Sequence, residues 1–465
     1  MVGTRKPSFT EGKLFFPILF YTLPIIATGV LQLLYNMADQ VVVGRFSGDA
    51  NALAAVGSSS ALTAFFIHLF LGMTAGTSVV IAQMIGAKRE EDVQKAVHTS
   101  IAFAVFIGAA VSALGFCLAK PMLVLLGTKE ELLPLAVRYV RIIALGLPFS
   151  SIYNFGGAIL RSAGDSKTPL GILATTGILN VVLNLFFVIV SDMSVAGVAL
   201  ATSCAHVVSA VWVLIVLSRR NEVYRLSFRK LKIHRSSLRR ILRVGVPSAV
   251  QGCLFPATSM IVQSAANTFA TEAISGFTVS GTIEGFTYTA MSSFHQAAVT
   301  FAGQNFGAKK QKRLRRVLLY TLLQVTLVGV LLGWLEIIFA EQLASVFVDT
   351  SLPESSAIIE AAVERSRIIL SLYFIYGIME TLPGYLRGIG YSILPMLCCV
   401  FGVCGLRIAW VLWIFPLLPH TVLSLFICYP ISWTAVVLMH LCTVFYANRK
   451  IRKDWRRGND ALAEL

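Results

Sequence analysis

Apolar positions along this chain do not alternate; they gather into runs of about twenty residues, the length needed to cross a ~30 Å hydrocarbon core as a helix. The runs predict spans near 15–43, 52–82, 96–119, 136–160, 168–190 and 195–217. A second set follows near 244–266, 273–302, 317–340, 366–386, 392–415 and 421–446. The pattern predicts an all-α polytopic membrane protein with about twelve transmembrane helices. The first run starts near Leu14, outlasts a signal-peptide core and lacks a small-residue cleavage site, so it is expected to be retained.

Polar positions inside the runs are few and fall in stripes. Near the end of the first run stands YNMADQVVVGRF, Tyr35 to Phe46, with a carboxylate at Asp39. Gln32, Asn36 and Asp39 share one helical face, and apolar Val41 to Val43 still follow the acid. An ionisable group inside a span usually faces a cavity or a partner and marks an ion or proton path. Pro24 lies a few turns earlier and removes a backbone hydrogen bond, giving this helix a place to bend. In the fifth run Thr176, Asn180 and Asn184 recur every four residues; they can bond Asp39, offer oxygens to a cation such as Na⁺, or join helices.

The second half carries its own stripes. Glu284, Tyr288, Met291 and His295 line one face of the eighth run, and Tyr373, Tyr376 and Glu380 one face of the tenth. A carboxylate beside aromatic and thioether groups suits an organic cation. His295 is equally suited to proton relay or to a structural role. Glu336 and Arg407 are candidates for a buried pair, whereas His68 and His206 stand alone on apolar helices, where core roles are expected.

Composition agrees with the pattern. Hydrophobic residues make up 56% of 465 and charged residues 13%, about half the share of a soluble protein. The net charge of +16 sits mostly in alternate connections: Arg5, Lys6 and Lys13; Lys88, Arg89 and Lys95; Arg161 and Lys167; 219–243; 309–316; Arg387; and 449–457. The opposite connections carry Asp49, Glu130, Glu131, Asp192, Glu272, Asp349 and Glu354. This asymmetry predicts both termini on the cytoplasmic side, and makes the charge a topology signal and a contact with anionic lipid, not a nucleic-acid surface. The eight cysteines lie in apolar runs without ligand spacing and are expected to be small core residues.

The halves resemble each other. AQMIGAK at 82–88 is matched by GQNFGAK at 303–309, LRSAGDSKTP at 160–169 by LRGIGYSILP at 386–395, and Pro24 by Pro247. Six spans per half is an even number, so the repeats point the same way through the membrane, as two pseudo-symmetric six-helix lobes. The expected division is an N-lobe at 1–217, a basic cytoplasmic linker at 218–243, a C-lobe at 244–446 and a cytoplasmic tail at 447–465. Two lobes rocking against each other would give alternating access, the architecture of a carrier.

Several function classes fall away. No phosphate-binding GxxxxGK[ST] loop is present, so ATP does not drive transport. Neither HExxH nor GxSxG occurs, which argues against an enzyme, and no pore-loop motif suggests a channel. The energy source is then an ion gradient. Burial of Asp39 disfavours its charged form unless a cation compensates, so one carboxylate can alternate between proton-bound and ion-bound states.

Taken together, YNxxDxxVVGRF, AQxxGA and LRxxGDSxTP, set in twelve spans over essentially the whole chain, resemble the multidrug and toxic compound extrusion (MATE) family. The resemblance implies a V-shaped pair of lobes, a central cavity for large and often cationic or amphipathic drugs, and antiport against Na⁺ or H⁺ with no other cofactor. It implies that Asp39 is the N-lobe ion-site aspartate, Pro24 the bending proline and Asn180 the fifth-span asparagine. Asn184 departs from the second aspartate of many relatives. Phe255, with Gln251 one turn earlier, stands about where one branch has a seventh-span glutamate, so a C-lobe ion site would be built around Glu284 and Glu380. The pattern is similar to bacterial members, closest to the DinF-like branch. It implies a multi-pass protein of the bacterial cytoplasmic membrane, sufficient as a monomer. The alternative is a lipid-linked precursor flippase, which would line its cavity with cations for pyrophosphate; here the intramembrane cations are Arg138, Arg141, Arg365, Arg367 and Arg407, mostly near span ends.

Overall fold

The computed structural model describes residues 9–48, 51–348 and 353–457. Arg5, Lys6, Asp49 and Asp349, named above, lie outside them. The described residues are 86% helical, and no strand occurs among them. In the first half the helices are α1 (Phe15–Phe46), α2 (Ala52–Gly86), α3 (Glu90–Leu125), α4 (Leu133–Ser162), α5 (Lys167–Leu185) and α6 (Ser194–Arg219). In the second half α7 (Arg235–Ala266), α8 (Thr271–Gly307) and α9 (Gln311–Ile338) are followed by the short α10 (Ala340–Phe347). Then come α11 (Ser355–Leu370), α12 (Tyr373–Gly388), α13 (Ile393–Cys399), α14 (Leu406–Ala409), α15 (Val422–Phe426) and α16 (Cys428–Arg456).

Ten of the described helical stretches are long and apolar enough to span a membrane, and α11 with α12 makes an eleventh, bent by 50°. The span expected at 366–386 is therefore corrected: it is two helices broken at Ser371 and Leu372. α8 has the length, 37 residues, but its many Ser and Thr positions dilute its hydropathy. Several helices overrun their apolar cores. α7 begins at Arg235, nine residues before the expected 244, and α16 continues to Arg456. Charge suits these overhangs: Glu90, Glu91 and Asp92 open α3, and Lys453 and Arg456 close α16, each opposing the local helix dipole.

The repeats are physical. Lys88 and Lys309 both take positive φ, 56° and 53°, as do Gly164 and Gly390, at 92° and 94°. Each ends a helix in a Schellman turn. Arg89 N–H donates to Met84 O at 3.0 Å and Lys310 N–H to Asn305 O at 3.0 Å. Asp165 N–H donates to Leu160 O at 2.9 Å and Tyr391 N–H to Leu386 O at 2.8 Å. The fifth span ends in a π-helical turn at Phe186–Val190, and the eleventh contains two, Val400–Gly405 and Trp410–Ile414.

Two compact units divide the chain: Leu23–Ala249, and Met1–Thr22 with Val250–Leu465. In the first, α2 meets the opening half of α7 through a GxxxG pair, since a Cβ on Gly72 would stand 2.2 Å from Ala249 Cα and one on Gly76 2.1 Å from Ile241 O. The basic connection is docked in this unit, not loose. Ser227 N–H donates to His98 Nε2 at 3.0 Å, His234 N–H donates to Thr99 Oγ1 at 3.0 Å, and Arg220 pairs with Asp165 at 2.7 Å.

In the second unit the segment before α1 is clamped. Arg313 donates to the carbonyls of Phe9, Glu11 and Gly12, and the Phe9 ring stacks on Phe301 at 4.1 Å. Here Arg387, counted above among cytoplasmic cations, is buried and bonded to His295 and Gln251. All eight cysteines are free thiols, but Cys117 and Cys442 are exposed, not core.

Candidate functional site

Asp39 stands on α1 within the first unit. Val42 and Val43 beyond it are buried in the first unit's apolar core, so α1 carries the carboxylate past its own polar position and back into packing. Around it converge α5 and α6. Asn184 donates its Nδ2 to Asp39 Oδ1, and Thr202 of α6 donates to Oδ2 at 3.5 Å. The Asn180 amide is oriented by its neighbours: with nitrogen toward Asp39 Oδ1 at 3.0 Å, its oxygen accepts from the Thr202 N–H at 3.3 Å. Asn184 is fully buried and its Oδ1 has no hydrogen-bond partner. A buried carbonyl oxygen without a donor is costly, and here it stands beside a carboxylate.

The other first-half candidates distribute differently. Thr176 is buried but donates to Ile172 O at 2.9 Å and accepts from Ser209 at 2.9 Å, so it joins α5 to α6 without touching Asp39. Tyr35 lies against α5: its hydroxyl donates to Ala174 O at 3.0 Å and its ring fills the space a Cβ on Gly177 would need. Gln32 and Asn36 are exposed and have no hydrogen-bond partner among the described residues. Thr202 is the residue that sequence reasoning missed. Its signal was a seven-residue spacing to Ser209 in an apolar run, two turns of one face, matching the stripe on α5.

The second-half acids are engaged. Glu284 pairs with Arg365 at 2.9 Å, and Arg365 also donates to Ser280 at 2.8 Å and covers the Phe426 ring at 5.0 Å. Glu336 Oε1 accepts from Thr287 at 2.7 Å while its Oε2 is buried without a partner. Arg407 lies over Tyr429 at 4.0 Å and donates to Ser432, so Glu336 and Arg407 are not a pair. Met291 is fully buried with its sulfur against Gly329 and Gly377, a packing role and not a cavity wall. Tyr288 is exposed and stacks on buried Tyr376 at 5.5 Å.

Glu380 belongs to a chain of polar groups. His295 Nδ1–H donates to the Glu380 carbonyl at 2.9 Å and lies 3.5 Å from its carboxylate. His295 Nε2 accepts from Arg387 at 3.0 Å, and Arg387 donates to Gln251 Oε1 at 2.7 Å. This bonding fixes the neutral Nδ1–H tautomer of His295. Gln251, noted above only by its position, is thus the acceptor that holds Arg387.

Among the described residues no group of three or more His, Cys, Asp and Glu could hold a metal ion. The first-half cluster instead offers one carboxylate, two amides and a hydroxyl, a hard-oxygen set.

The chain is similar to known proteins along most of its length. The MatE family model matches residues 24–186 and 247–413. "Probable multidrug resistance protein YoeA" of Bacillus subtilis (strain 168) is 26% identical over 421 residues, 88% of this chain and 89% of that protein. "Probable multidrug resistance protein NorM" of Thermotoga maritima is 27% identical, covering 83% of this chain and 82% of its own. The fold is shared with a solved structure, the outward-facing conformation of a multidrug resistance MATE family transporter, at a TM-score of 0.88 and 23% identity over 97% of this chain and 99% of that one.

Proposed function

The chain belongs to the MATE family of multidrug efflux transporters and is not an enzyme, and from that premise we propose that it exports organic, often cationic, compounds in exchange for Na⁺ or H⁺ by alternating access. The observation that carries this is Asp39, ringed by Asn180, Asn184 and Thr202, beside the unpartnered Asn184 Oδ1. Turning the two amides would present carbonyl oxygens where nitrogens now face the carboxylate, giving a small cation three or four oxygens. A proton on Asp39 would leave the amides as they stand. The same cluster can therefore exist in an ion-bound and a proton-bound form, and only the gradients decide which one drives export.

On the substrate side, exposed Tyr288 stacked on Tyr376 supports an aromatic surface for cations, with Glu380 on the same helix as Tyr376. Glu284 is neutralised by Arg365, so Glu380 is the better candidate for substrate charge. Arg365 and Arg407, two of the five intramembrane arginines, are both engaged by protein partners, which counts against a pyrophosphate at those positions. On this reading both termini lie on the cytoplasmic side, as the distribution of basic residues suggests, and one chain suffices as a monomer.

Efflux of ethidium from proteoliposomes under separately imposed Na⁺ and H⁺ gradients tests the proposal. One gradient should drive transport, and Asp39→Asn should reduce it to background while the protein stays monodisperse. Transport by Asp39→Asn at the native rate would remove Asp39 from the mechanism. Failure of both gradients with folded protein would overturn cation export and turn attention to lipid-linked substrates.

A further inference from the structure

The second unit contains a cavity of about 590 Å³ between the start of α9 and the end of α16. Arg315, Arg449, Arg452, Lys453 and Arg456 line it, and no acid does. None of the five side chains has a hydrogen bond or ion pair among the described residues. Some basic side chains elsewhere do find partners: Arg220 with Asp165, Lys95 with Glu91, Arg313 with three carbonyls. Five unpaired like charges around one hollow repel each other unless an anion enters it.

The rest of the lining says which anion. Leu441, Val444 and Phe445 form the wall on the membrane side of the cations, and Phe445 is 72% exposed. Residues 445, 449, 452 and 456 follow one helical face, so α16 passes from apolar to cationic along a single stripe. Free phosphate has no use for the apolar wall. A phospholipid meets both ends, its phosphate among the guanidiniums and its first methylenes on Leu441 and Phe445.

We infer that this groove is a binding site for an anionic phospholipid headgroup, the phosphatidylglycerol or diphosphatidylglycerol type, without a compensating amine. The inference is independent of the transported substrate and of Asp39. It differs from a diffuse positive-inside effect, which needs cations on one side but no hollow and no apolar wall.

Native mass spectrometry of the full chain in neutral detergent tests it, with phosphatidylglycerol, diphosphatidylglycerol, phosphatidylcholine and inorganic phosphate as probes. The native protein should retain the two anionic lipids and not phosphatidylcholine. Arg449→Gln, Arg452→Gln and Arg456→Gln together should weaken retention about a hundredfold, on the scale of one basic residue each near an anionic surface. Arg229→Gln, Lys230→Gln and Lys232→Gln, the same charge loss in the connection before α7, should leave it unchanged. Phe445→Ser should weaken lipid retention without creating phosphate competition. Equal loss in both triple variants would make the attraction diffuse and overturn the site. Competition by millimolar inorganic phosphate against the lipid would reassign it to a free anion. Should the triple variant fail to fold, Arg452→Gln alone must still lower retention, or the groove is not the site.

Discussion

At the scale of residues, the sequence announced chemistry more clearly than contact. Asp39, Asn180 and Asn184 were legible because a polar stripe on an apolar helix must find partners, and they do meet. Thr202 was not, because a threonine in a span can also satisfy itself on its own helix, and nothing in one sequence says which neighbour it faces. Met291 was misplaced for a related reason: its stripe with Glu284 and Tyr288 is correct, but the glycines that swallow its sulfur lie on α9 and α12. The contact of Tyr35 with Gly177 makes a prediction of this kind. A methyl group at 177 would overlap the Tyr35 ring, its Cβ only 1.8 Å from Cζ. Tyr35 lies one turn before Asp39, so the methyl pushes α1 away from α5 at the ion cluster. Gly177→Ala is expected to cost about 1–3 kcal/mol of stability, as overpacking does, and to lower gradient-driven transport. Pairing it with Tyr35→Ala should cost less than the sum of the two single changes, measured by apparent melting temperature in a double-mutant cycle. Strict additivity would mean that the ring and the glycine do not share that space.

At the scale of elements, most of the helices could be read from hydropathy, because length and apolarity are the requirements of the bilayer itself. What hydropathy could not show is where a span breaks. The bend between α11 and α12 lies inside an apolar stretch, with neither proline nor glycine at Ser371 and Leu372 to mark it. The turns, by contrast, were visible as repeated motifs, and their geometry explains the repetition. Each Schellman turn needs a residue at positive φ, met by Gly164 and Gly390 in one pair but by Lys88 and Lys309 in the other. A lysine there carries a steric cost of about 1–2 kcal/mol that glycine avoids, less the extra chain entropy glycine loses on folding, about 0.5–1 kcal/mol. Lys88→Gly and Lys309→Gly are each expected to hold or slightly raise the apparent melting temperature. Arg89 and Lys310 beside them keep the positive charge that sets topology. A clear fall in melting temperature would show that the lysine side chains, not the backbone turn, matter at these positions.

At the scale of the whole molecule, the division into two units does not follow the midpoint of the chain. It falls inside α1, between Thr22 and Leu23, and inside α7, between Ala249 and Val250. Pro24 and Pro247 stand within three residues of those two points, and the coincidence has a physical basis. Each proline lacks the N–H that would bond the carbonyl four residues back, so α1 and α7 both lose a rung there. Beside each, a hydroxyl shares another carbonyl of the same helix: Thr22 donates to Ile18 O at 2.8 Å, and Ser248 to Val244 O at 2.8 Å. Such back-bonding further loosens and bends a helix. Helices that belong to both units are the elements that must flex if the units move under the alternating-access mechanism proposed above, and both are weakened at the boundary. Pro24→Ala and Pro247→Ala restore the missing rung and should stiffen α1 and α7. Each single variant is expected to slow turnover several-fold while leaving equilibrium binding of ethidium in detergent unchanged, and the double variant should be slower than either. Binding and turnover measured on the same preparations separate the cases. Loss of binding in step with turnover would place the prolines in the shape of the substrate site. Native turnover in the double variant would mean that the bending these helices require is supplied elsewhere in the chain.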